Sequence, residues 1–212
     1  TIWLQWASRW GKTFFGQSAM LMYAAVLPRP MMFASVDEKL ALEVVARTYQ
    51  IADKVAAMKK HIEPEHKRKK DIIRFRGCEV YVAWARSVST LADKPVAFGH
   101  GNEIDKWQHV STSTEADPMK LFTDRSKQFA QTFKYIMEST PAMKRSSRVE
   151  HGRLQSTNCQ FFVPCPHCKK YQRLEFDHMQ ADNESIKWGL KWDKNKHGKD
   201  DKDVARKTAR YL

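Results

Sequence analysis

A buried strand, a loop and an amphipathic helix are predicted in immediate succession at the start of the chain. Ile2–Gln5 has the apolar composition of a short strand, and Thr13–Leu27 has apolar residues at helical spacing until two prolines end it. The intervening loop, residues 6–13, ends in Gly-Lys-Thr. Because the free backbone N–H groups of a helix N-terminus bind phosphate, this order predicts a strand–loop–helix unit with an anion site at the loop.

The side chains of this loop fit a nucleotide and its metal ion. Lys12 is predicted to contact the β- and γ-phosphates, and the hydroxyl of Thr13 is predicted to face Mg²⁺. Arg9 is a candidate catalytic residue that stabilises charge on the γ-phosphate of its own or a neighbouring site, with a solvated loop arginine as the alternative. Trp6 stands where such loops usually carry their first glycine. The predicted nucleotide-binding residues are Ser8, Arg9, Trp10, Gly11, Lys12 and Thr13.

A second apolar run leads into acidic residues, as expected of the strand that faces a phosphate loop. Glu103, which follows this run, is predicted to orient and polarise the attacking water. Asn102 stands where an aspartate usually supports Mg²⁺, and because an amide carries no charge, we expect a weaker metal site. Asp105 or water is expected to compensate. The alternative is a surface turn with ordinary acids.

A third apolar run, Phe133–Met137, is followed by Ser139, Thr140 and Pro141. Hydroxyl groups after a buried strand can contact a γ-phosphate and respond to its loss. Ser139, Thr140 and Pro141 are therefore candidates for sensing the γ-phosphate. A common polar loop is the alternative, since Ser, Thr and Pro are frequent in loops.

Strands that alternate with helices through most of the chain predict an α/β fold. The pattern is typical of a RecA-like (ASCE) P-loop NTPase with a mostly parallel sheet and helices on both faces. Residues 1–150 are predicted to form this ATPase domain, truncated at its N-terminus. Residues 151–212 are predicted to form a partial zinc-ribbon-like β appendage and a charged tail.

Turn and cap signals place the remaining elements. Strands are predicted at Met31–Val36, Ile72–Phe75, Glu79–Trp84 and Val96–Phe98. Helices are predicted from the N-cap Asp37 to Ala57, from Pro118 to Phe129 and at Val204–Leu212, with a polar loop at Ser111–Asp117. Strands at Gln160–Val163 and Gln172–Phe176 are predicted to bracket a cysteine turn, and most of the chain after Asp177 is predicted to be loop or disorder.

The net charge of +13 predicts a polyanionic partner, nucleic acid first, with a merely soluble basic surface as the alternative. Three tryptophans, Trp84, Trp107 and Trp188, are candidates for base stacking, with core or interface packing as the alternative. No apolar run approaches the about 18 residues that a membrane-spanning helix needs, so no membrane partner is expected. A basic run that could contact a DNA backbone, or be a solvated loop, comprises Lys59, Lys60, Lys67, Arg68, Lys69 and Lys70.

Cys165 and Cys168 have the spacing of one knuckle of a zinc ribbon. A structural zinc site needs four ligands, and no second pair at this spacing follows in the chain. We therefore predict Zn²⁺ binding for the full-length protein, with an unoccupied pair of thiols as the alternative in this chain alone. Because no secretory signal is evident, thiols rather than disulfides are expected.

The spaced motifs together resemble the ATPase region of lambda-type (GpA-like) phage terminase large subunits. Besides the three motifs above, the resemblance extends over most of the chain, from Ile2 to Phe176. It is carried further by Val82–Ser87 with Leu91, Glu103–Trp107, Asp117–Arg125 with Phe129, and Phe162–Cys168.

This resemblance implies a ring-shaped homo-oligomeric motor docked at the procapsid portal in the host cytoplasm. The motor would hydrolyse ATP with Mg²⁺ to translocate double-stranded DNA, a small terminase subunit would recognise the packaging site, and a C-terminal endonuclease would cut the concatemer. By the match of motifs, Lys12 and Thr13 would bind nucleotide and Mg²⁺, Arg9 and Glu103 would be catalytic, and Ser139 and Thr140 would couple hydrolysis to movement. The nuclease is expected outside this chain.

Two other functions remain open from the residues alone. A DNA helicase is one, because the segment from Asn102 to Asp105 also resembles a helicase acidic box. A catalytically impaired DNA-binding remnant is the other, because of the amide at Asn102.

Overall fold

The computed structural model describes residues 1–107, 117–143, 146–165, 168–173, 177–178, 188–208 and 210–211. These residues belong to two compact units, Thr1–Asn158 and Cys159–Leu212. The predicted polar loop Ser111–Asp117 lies outside the described residues except for Asp117. The same is true of residues 174–176 at the end of the predicted strand Gln172–Phe176.

A mostly parallel sheet forms the centre of the first unit. Its six strands are β1 (Ile2–Gln5), β2 (Met31–Ser35), β3 (Ile72–Phe75), β4 (Cys78–Trp84), β5 (Phe98–Asn102) and β6 (Lys134–Ser139). Their order across the sheet is β1-β6-β5-β2-β4-β3, and every neighbouring pair is parallel except the β3–β4 hairpin. The carboxyl ends of β1, β6 and β5 therefore meet at one edge, where ligands bind in open α/β sheets.

Helices cover both faces of this sheet, as predicted. They are α1 (Lys12–Val26), α2 (Glu38–Lys54), α3 (Ala56–Lys59), α4 (Val88–Ala92), α5 (Pro118–Asp124) and α6 (Arg148–Leu154). Buried residues of α1 and α2 pack in one core cluster, and those of α4, α5 and α6 pack in the other. In β2, Met31 and Phe33 face the first cluster and Met32 faces the second, because successive strand side chains point to opposite faces.

Several predicted boundaries are wrong. The helix predicted to run to Ala57 is broken at Val55, and the helix predicted to reach Phe129 ends at Asp124, followed by a 3₁₀ turn. The strand predicted at Val96–Phe98 starts only at Phe98 and ends at Asn102. The glycines and histidine of β5 have weak strand propensity. Its position is therefore decided by its pairing with the two neighbouring strands, β2 on one side and β6 on the other.

The second unit contains short β elements and one helix. A hairpin pairs β7 (Val163–Pro164) with β8 (Tyr171–Gln172) around the cysteine turn. A three-stranded sheet comprises β9 (Asp177–His178), β10 (Trp188–Lys191) and β11 (Arg210–Tyr211), with α7 (Lys202–Thr208) before β11.

The tail after Asp177 is therefore more regular than expected. The prediction of loop or disorder is wrong for β9 and β10, and the predicted helix is wrong at β11, because pairing between distant segments supplies order that the local pattern lacks. The helix predicted at Val204–Leu212 also ends earlier, at Thr208. The predicted domain division after residue 150 falls inside α6, which belongs to the first unit.

None of the helices in the described part of the chain combines the length and apolarity that crossing a bilayer requires.

The predicted N-cap of α2 gives a stability test. The side chain of Asp37 accepts a hydrogen bond from the backbone N–H of Leu40 at 2.9 Å. We expect Asp37→Ala to lower the free energy of unfolding by about 1 kcal/mol, because it removes the partner of an otherwise unpaired helix N–H. Urea unfolding followed by circular dichroism measures the change. Asp37→Asn is the matched control and should stay near wild type; equal stability of Asp37→Ala would contradict the cap.

Cys78, the first residue of β4, gives a reactivity test. Cys78 is buried, and burial raises the pKa of its thiol to about 11. At pH 8 its thiolate should be about a hundredfold scarcer than in an unperturbed thiol, so we expect slow modification by a disulfide reagent. The exposed Cys159 and Cys168 should react in a fast phase, and Cys78→Ser should remove only the slow phase. A fast phase that disappears in Cys78→Ser would contradict the burial.

Candidate active site

The loop from β1 to α1 presents a helix N-terminus to the edge of the sheet. Gly11 has a φ of 79°, in the left-handed region that favours glycine, and its carbonyl accepts the first helical hydrogen bond from Phe15 at 2.9 Å. The helix begins at Lys12, one residue before the predicted start. Its first turn carries no acidic residue, so the positive end of the helix dipole can accept an anion.

The predicted phosphate-loop, acidic and coupling residues meet at the ammonium of Lys12. This side chain is buried, and its Nζ lies 2.9 Å from Oε1 of Glu103. The same ammonium donates a hydrogen bond to Oγ1 of Thr140 at 3.0 Å. Glu103 and Thr140 follow Lys12 by about ninety positions or more in sequence. They reach the same ammonium group because β1, β6 and β5 end side by side.

A chain of side-chain oxygens and amides lies beside this contact. The hydroxyl of Thr13 donates to Oδ1 of Asn102 at 3.3 Å, and Nδ2 of Asn102 donates to the hydroxyl of Ser35 at 3.3 Å. Ser35 ends β2 and was missed by sequence reasoning, although a hydroxyl at the end of a strand beside the acidic strand is the available signal. These oxygens are of the kind that Mg²⁺ prefers.

Glu103 has an unusual backbone conformation. Its φ is 55°, in the left-handed region that non-glycine residues seldom adopt, and it opens the 3₁₀ turn Ile104–Lys106. Its second carboxylate oxygen lies 3.2 Å from Nζ of Lys106, a neighbour that sequence reasoning also missed. Such conformations persist where the surrounding structure holds them and are concentrated at functional sites.

Asp105 binds backbone rather than facing the place of a metal ion. Its carboxylate accepts hydrogen bonds from the N–H groups of Ala142 and Val149, both at 2.9 Å, and its own N–H donates to Oγ of Ser139 at 3.3 Å. The expectation that Asp105 compensates for Asn102 is therefore not supported by this geometry. Instead, Asp105 fixes the coupling segment Ser139–Pro141 to the start of α6.

The outer part of the phosphate loop lies at the surface. Ser8, Arg9 and Trp10 are exposed, and the side chain of Trp10 is 72% accessible. Arg9 also has a positive φ of 65°. The structure thus brings Lys12, Thr13, Asn102, Glu103 and Thr140 together and leaves Arg9 at the surface, outside this cluster.

Two of the tryptophans suggested for base stacking have other environments. Trp107 is buried and donates its indole N–H to the carbonyl of Asn102 at 3.0 Å. Trp84 is half-buried and packs against the core. These two follow the core alternative, and Trp188, which belongs to β10, stays a prediction.

The basic run is divided between one internal contact and an exposed surface. The guanidinium of Arg68 makes a bidentate ion pair with the carboxylate of Asp53, with N···O distances of 2.6 and 2.7 Å. The Cζ of Arg68 also lies 4.7 Å from the centroid of the Tyr49 ring. Its guanidinium is thus already bound within the fold. The accessible part of the run consists of Lys59, Lys60, Lys67, Lys69 and Lys70.

The cysteine turn lies between β7 and β8. The backbone N–H of Cys165 donates to the carbonyl of Lys170 at 2.8 Å, and the N–H of Lys169 donates back to Cys165 at 3.0 Å. His167, between the two cysteines, lies outside the described residues. In the described ranges, no three His, Cys, Asp or Glu side chains form a metal-binding group, so zinc at Cys165 and Cys168 stays a prediction.

Known proteins with the same sequence features are phage terminases. A family profile described as "Phage terminase large subunit gpA, ATPase domain" matches residues 1–212. The terminase large subunit of Enterobacteria phage P21 is 41% identical over 64 residues, which are 30% of this chain and 9% of that protein. The chain therefore spans only a small part of this relative.

Solved structures show the same fold. The large terminase of bacteriophage HK97 matches with a TM-score of 0.57 at 13% identity, over 78% of this chain and 36% of that one. A mutant of the large terminase ATPase domain of Thermus phage P74-26 matches with a TM-score of 0.52 at 14% identity, over 78% and 69% of the two chains. With the family match over its whole length, this chain belongs to the ATPase-domain family of gpA-type phage terminase large subunits.

Proposed function

We propose that this chain is the ATP-hydrolysing motor domain of a terminase that packages double-stranded DNA into a procapsid. The observation that carries the proposal is the contact of Lys12 with both Glu103 and Thr140. One ammonium group thereby joins the residue expected to bind phosphate, the residue expected to activate water and the residue expected to detect hydrolysis. A domain built only to bind DNA has no need for this convergence.

Nucleotide binding would exchange one partner of Lys12 for another. Without a triphosphate, the Glu103 carboxylate balances the buried ammonium. A triphosphate at the N-terminus of α1 supplies more negative charge, so Lys12 moves onto the β- and γ-phosphates and Glu103 becomes free to accept a proton from water. The exchange would form the catalytic arrangement only when the substrate is present.

The residues around Thr13 fit a magnesium ion. Its hydroxyl, the amide oxygen of Asn102 and the hydroxyl of Ser35 are oxygen donors in one hydrogen-bonded chain. When bound, Mg²⁺ neutralises charge on the phosphate oxygens. Thr13 would hold it, and Asn102 would orient the Thr13 hydroxyl.

Coupling to movement would start at Thr140. Its hydroxyl accepts from Lys12, and Ser139 and Asp105 connect the same segment to the start of α6. Loss of the γ-phosphate returns Lys12 to Glu103 and Thr140, so the segment Ser139–Pro141 and α6 would shift together. The exposed lysines beside Arg68 would hold the DNA backbone without reading its sequence.

The remaining parts of this proposal concern the complete protein. The motor would work as a homo-oligomeric ring docked on the portal protein in the host cytoplasm, with a small terminase subunit that selects the DNA. Arg9 would contact the γ-phosphate of its own or a neighbouring subunit. The endonuclease would belong to the full-length protein, where Cys165 and Cys168 would bind zinc.

One observation favours a second candidate, a DNA-binding remnant without turnover. Asn102 donates its amide N–H to Ser35, and no carboxylate from the strand β5 reaches Thr13 in the described structure. A metal ion at this site would have fewer charged ligands than usual. Turnover measurements decide between the two candidates.

The ammonium and the carboxylate at the centre of the site can be tested separately. We expect Lys12→Ala and Glu103→Gln each to lower the DNA-stimulated ATPase rate by about a hundredfold or more, because each removes a group that acts on the transition state. Lys12→Ala should also weaken nucleotide binding, whereas Glu103→Gln should leave it within about threefold of wild type. Phosphate release with Mg²⁺ and DNA measures the rate.

Lys127→Ala is the control, because Lys127 is an exposed lysine before the start of β6 and lies outside both the site and the basic run, and it should keep the wild-type rate. Wild-type phosphate release no faster than that of Lys12→Ala would contradict the motor and support the remnant.

The amide at Asn102 can be converted to the usual carboxylate. We expect Asn102→Asp to lower the Mg²⁺ concentration that half-saturates ATP hydrolysis by about tenfold, because a charged oxygen binds a hard dication more strongly. A magnesium titration at saturating ATP measures it. Asn102→Ala, which removes the hydrogen bond to Thr13, should raise the requirement. An unchanged Mg²⁺ requirement in both variants would show that Asn102 lies outside the metal site.

A further inference from the structure

A buried polar pair lies inside the sheet and takes no part in the chemistry described above. His100 on β5 and Glu138 on β6 are both completely buried, and Nε2 of the histidine lies 3.1 Å from Oε1 of the glutamate. Their neighbours in the first core cluster are otherwise apolar, such as Phe98 and Ile136 on the same two strands. A histidine–carboxylate pair is unusual at a completely buried position in an apolar core.

The pair is adjacent to two of the three motifs along the chain. His100 lies two residues before Asn102 on β5, and Glu138 directly precedes Ser139 on β6. In the sheet register, Asn102 is opposite Glu138. The pair thus bridges the strand that presents Glu103 and the strand that presents the coupling segment.

The third motif contacts the pair through the helix α1. A Cβ added to Gly16 would lie 2.2 Å from Cε1 and 2.3 Å from Nε2 of His100. The backbone of α1 at Gly16, at the start of its second turn, therefore lies directly against the imidazole ring. The ring of Phe33, the register partner of His100 on β2, contacts the imidazole edge-on, with centroids 5.2 Å apart. The imidazole is held between α1 and the sheet.

The pair is incompletely satisfied. Nδ1 of His100 and Oε2 of Glu138 have no hydrogen-bond partner among the residues that the structure describes. Buried pairs of this kind are often less stabilising than apolar side chains of similar volume. Positions that break local rules for packing are expected at functional sites, where stability is exchanged for activity.

We propose that His100 and Glu138 are a positioning pair, which fixes the N-terminal part of α1 relative to β5 and β6. By this contact the pair sets the separation of Lys12 from Glu103 and Thr140. The inference rests on the proposed ATPase function for its consequence, but its structural part, the restraint on α1, does not. Neither residue belongs to the cluster around Lys12 and Thr13, so both would act through the residues of the site.

The test replaces Glu138 in the intact protein by an apolar and by a polar residue of similar size. We expect Glu138→Met to lower kcat for ATP hydrolysis at least tenfold while KM for ATP stays within about threefold, because misalignment affects the transition state more than binding. Glu138→Gln, which can still hydrogen-bond to the imidazole, should recover most of the lost kcat. The melting temperature of Glu138→Met should fall, because removal of one partner leaves the buried imidazole of His100 unpaired, so kcat is measured well below the melting transition.

Hydrogen exchange gives a second measurement that does not depend on turnover. Backbone amides at Phe15 to Gln17 should exchange at least tenfold faster in Glu138→Met than in wild type, with amides in α2 unchanged. Glu138→Gln should exchange like wild type. If wild-type protein hydrolyses ATP no faster than Lys12→Ala, the proposed function fails, and the exchange result still decides whether the pair restrains α1.

A third variant, Gly16→Ala, distinguishes a positioning role of the pair from a packing role. It can also be used if Glu138→Met does not fold. Gly16→Ala should displace the imidazole and lower both stability and kcat. Adding His100→Ala to Gly16→Ala removes the clash but leaves Glu138 buried without its partner, so stability should recover at most in part and kcat should not recover. Recovery of kcat in this double variant, or wild-type kcat and exchange in Glu138→Met, would overturn the proposal.

Discussion

The ammonium of Lys12 lies almost out of solvent, and a charge in that position requires an opposite charge or strong acceptors close to it. Glu103 supplies the opposite charge, and Thr140 supplies an acceptor. The two residues follow the strands β5 and β6, which lie far from the phosphate loop in sequence. The rest of the site depends on this requirement. A triphosphate can satisfy it as well, so the same lysine can exchange partners when nucleotide binds.

Strand order provides the geometry for that exchange. Because β6 lies between β1 and β5, the segment Ser139–Pro141 follows the strand that separates the loop before α1 from Glu103. Thr140 is consequently within reach of Lys12, and Asp105 ties the same segment to α6. The buried pair of His100 and Glu138 would connect the interior of these strands to α1.

Sequence reasoning predicted the fold class and singled out residues that the structure brings together, among them Lys12, Glu103 and Thr140, whose roles stay predictions; it did not predict all of their contacts. The family, the α/β fold and the N-cap at Asp37 are confirmed, since each depends on a local pattern or on several motifs in fixed order. Ser35, Lys106 and the backbone contacts of Asp105 were missed, because the neighbours of a side chain across a sheet cannot be inferred from spacing along one strand. The start of β5 was misplaced, since its glycines and histidine carry no strand signal.

The sequence by itself determined that a strand, a phosphate loop and a helix follow one another, and that two further strands end in an acid and in hydroxyls. These features depend on the composition and spacing of neighbouring residues, which act locally. Only the tertiary structure decided that Lys12, Glu103 and Thr140 meet, that Asp105 binds backbone and that Gly16 rests on His100. Such contacts arise from strand order and register, because these bring together residues that are far apart along the chain.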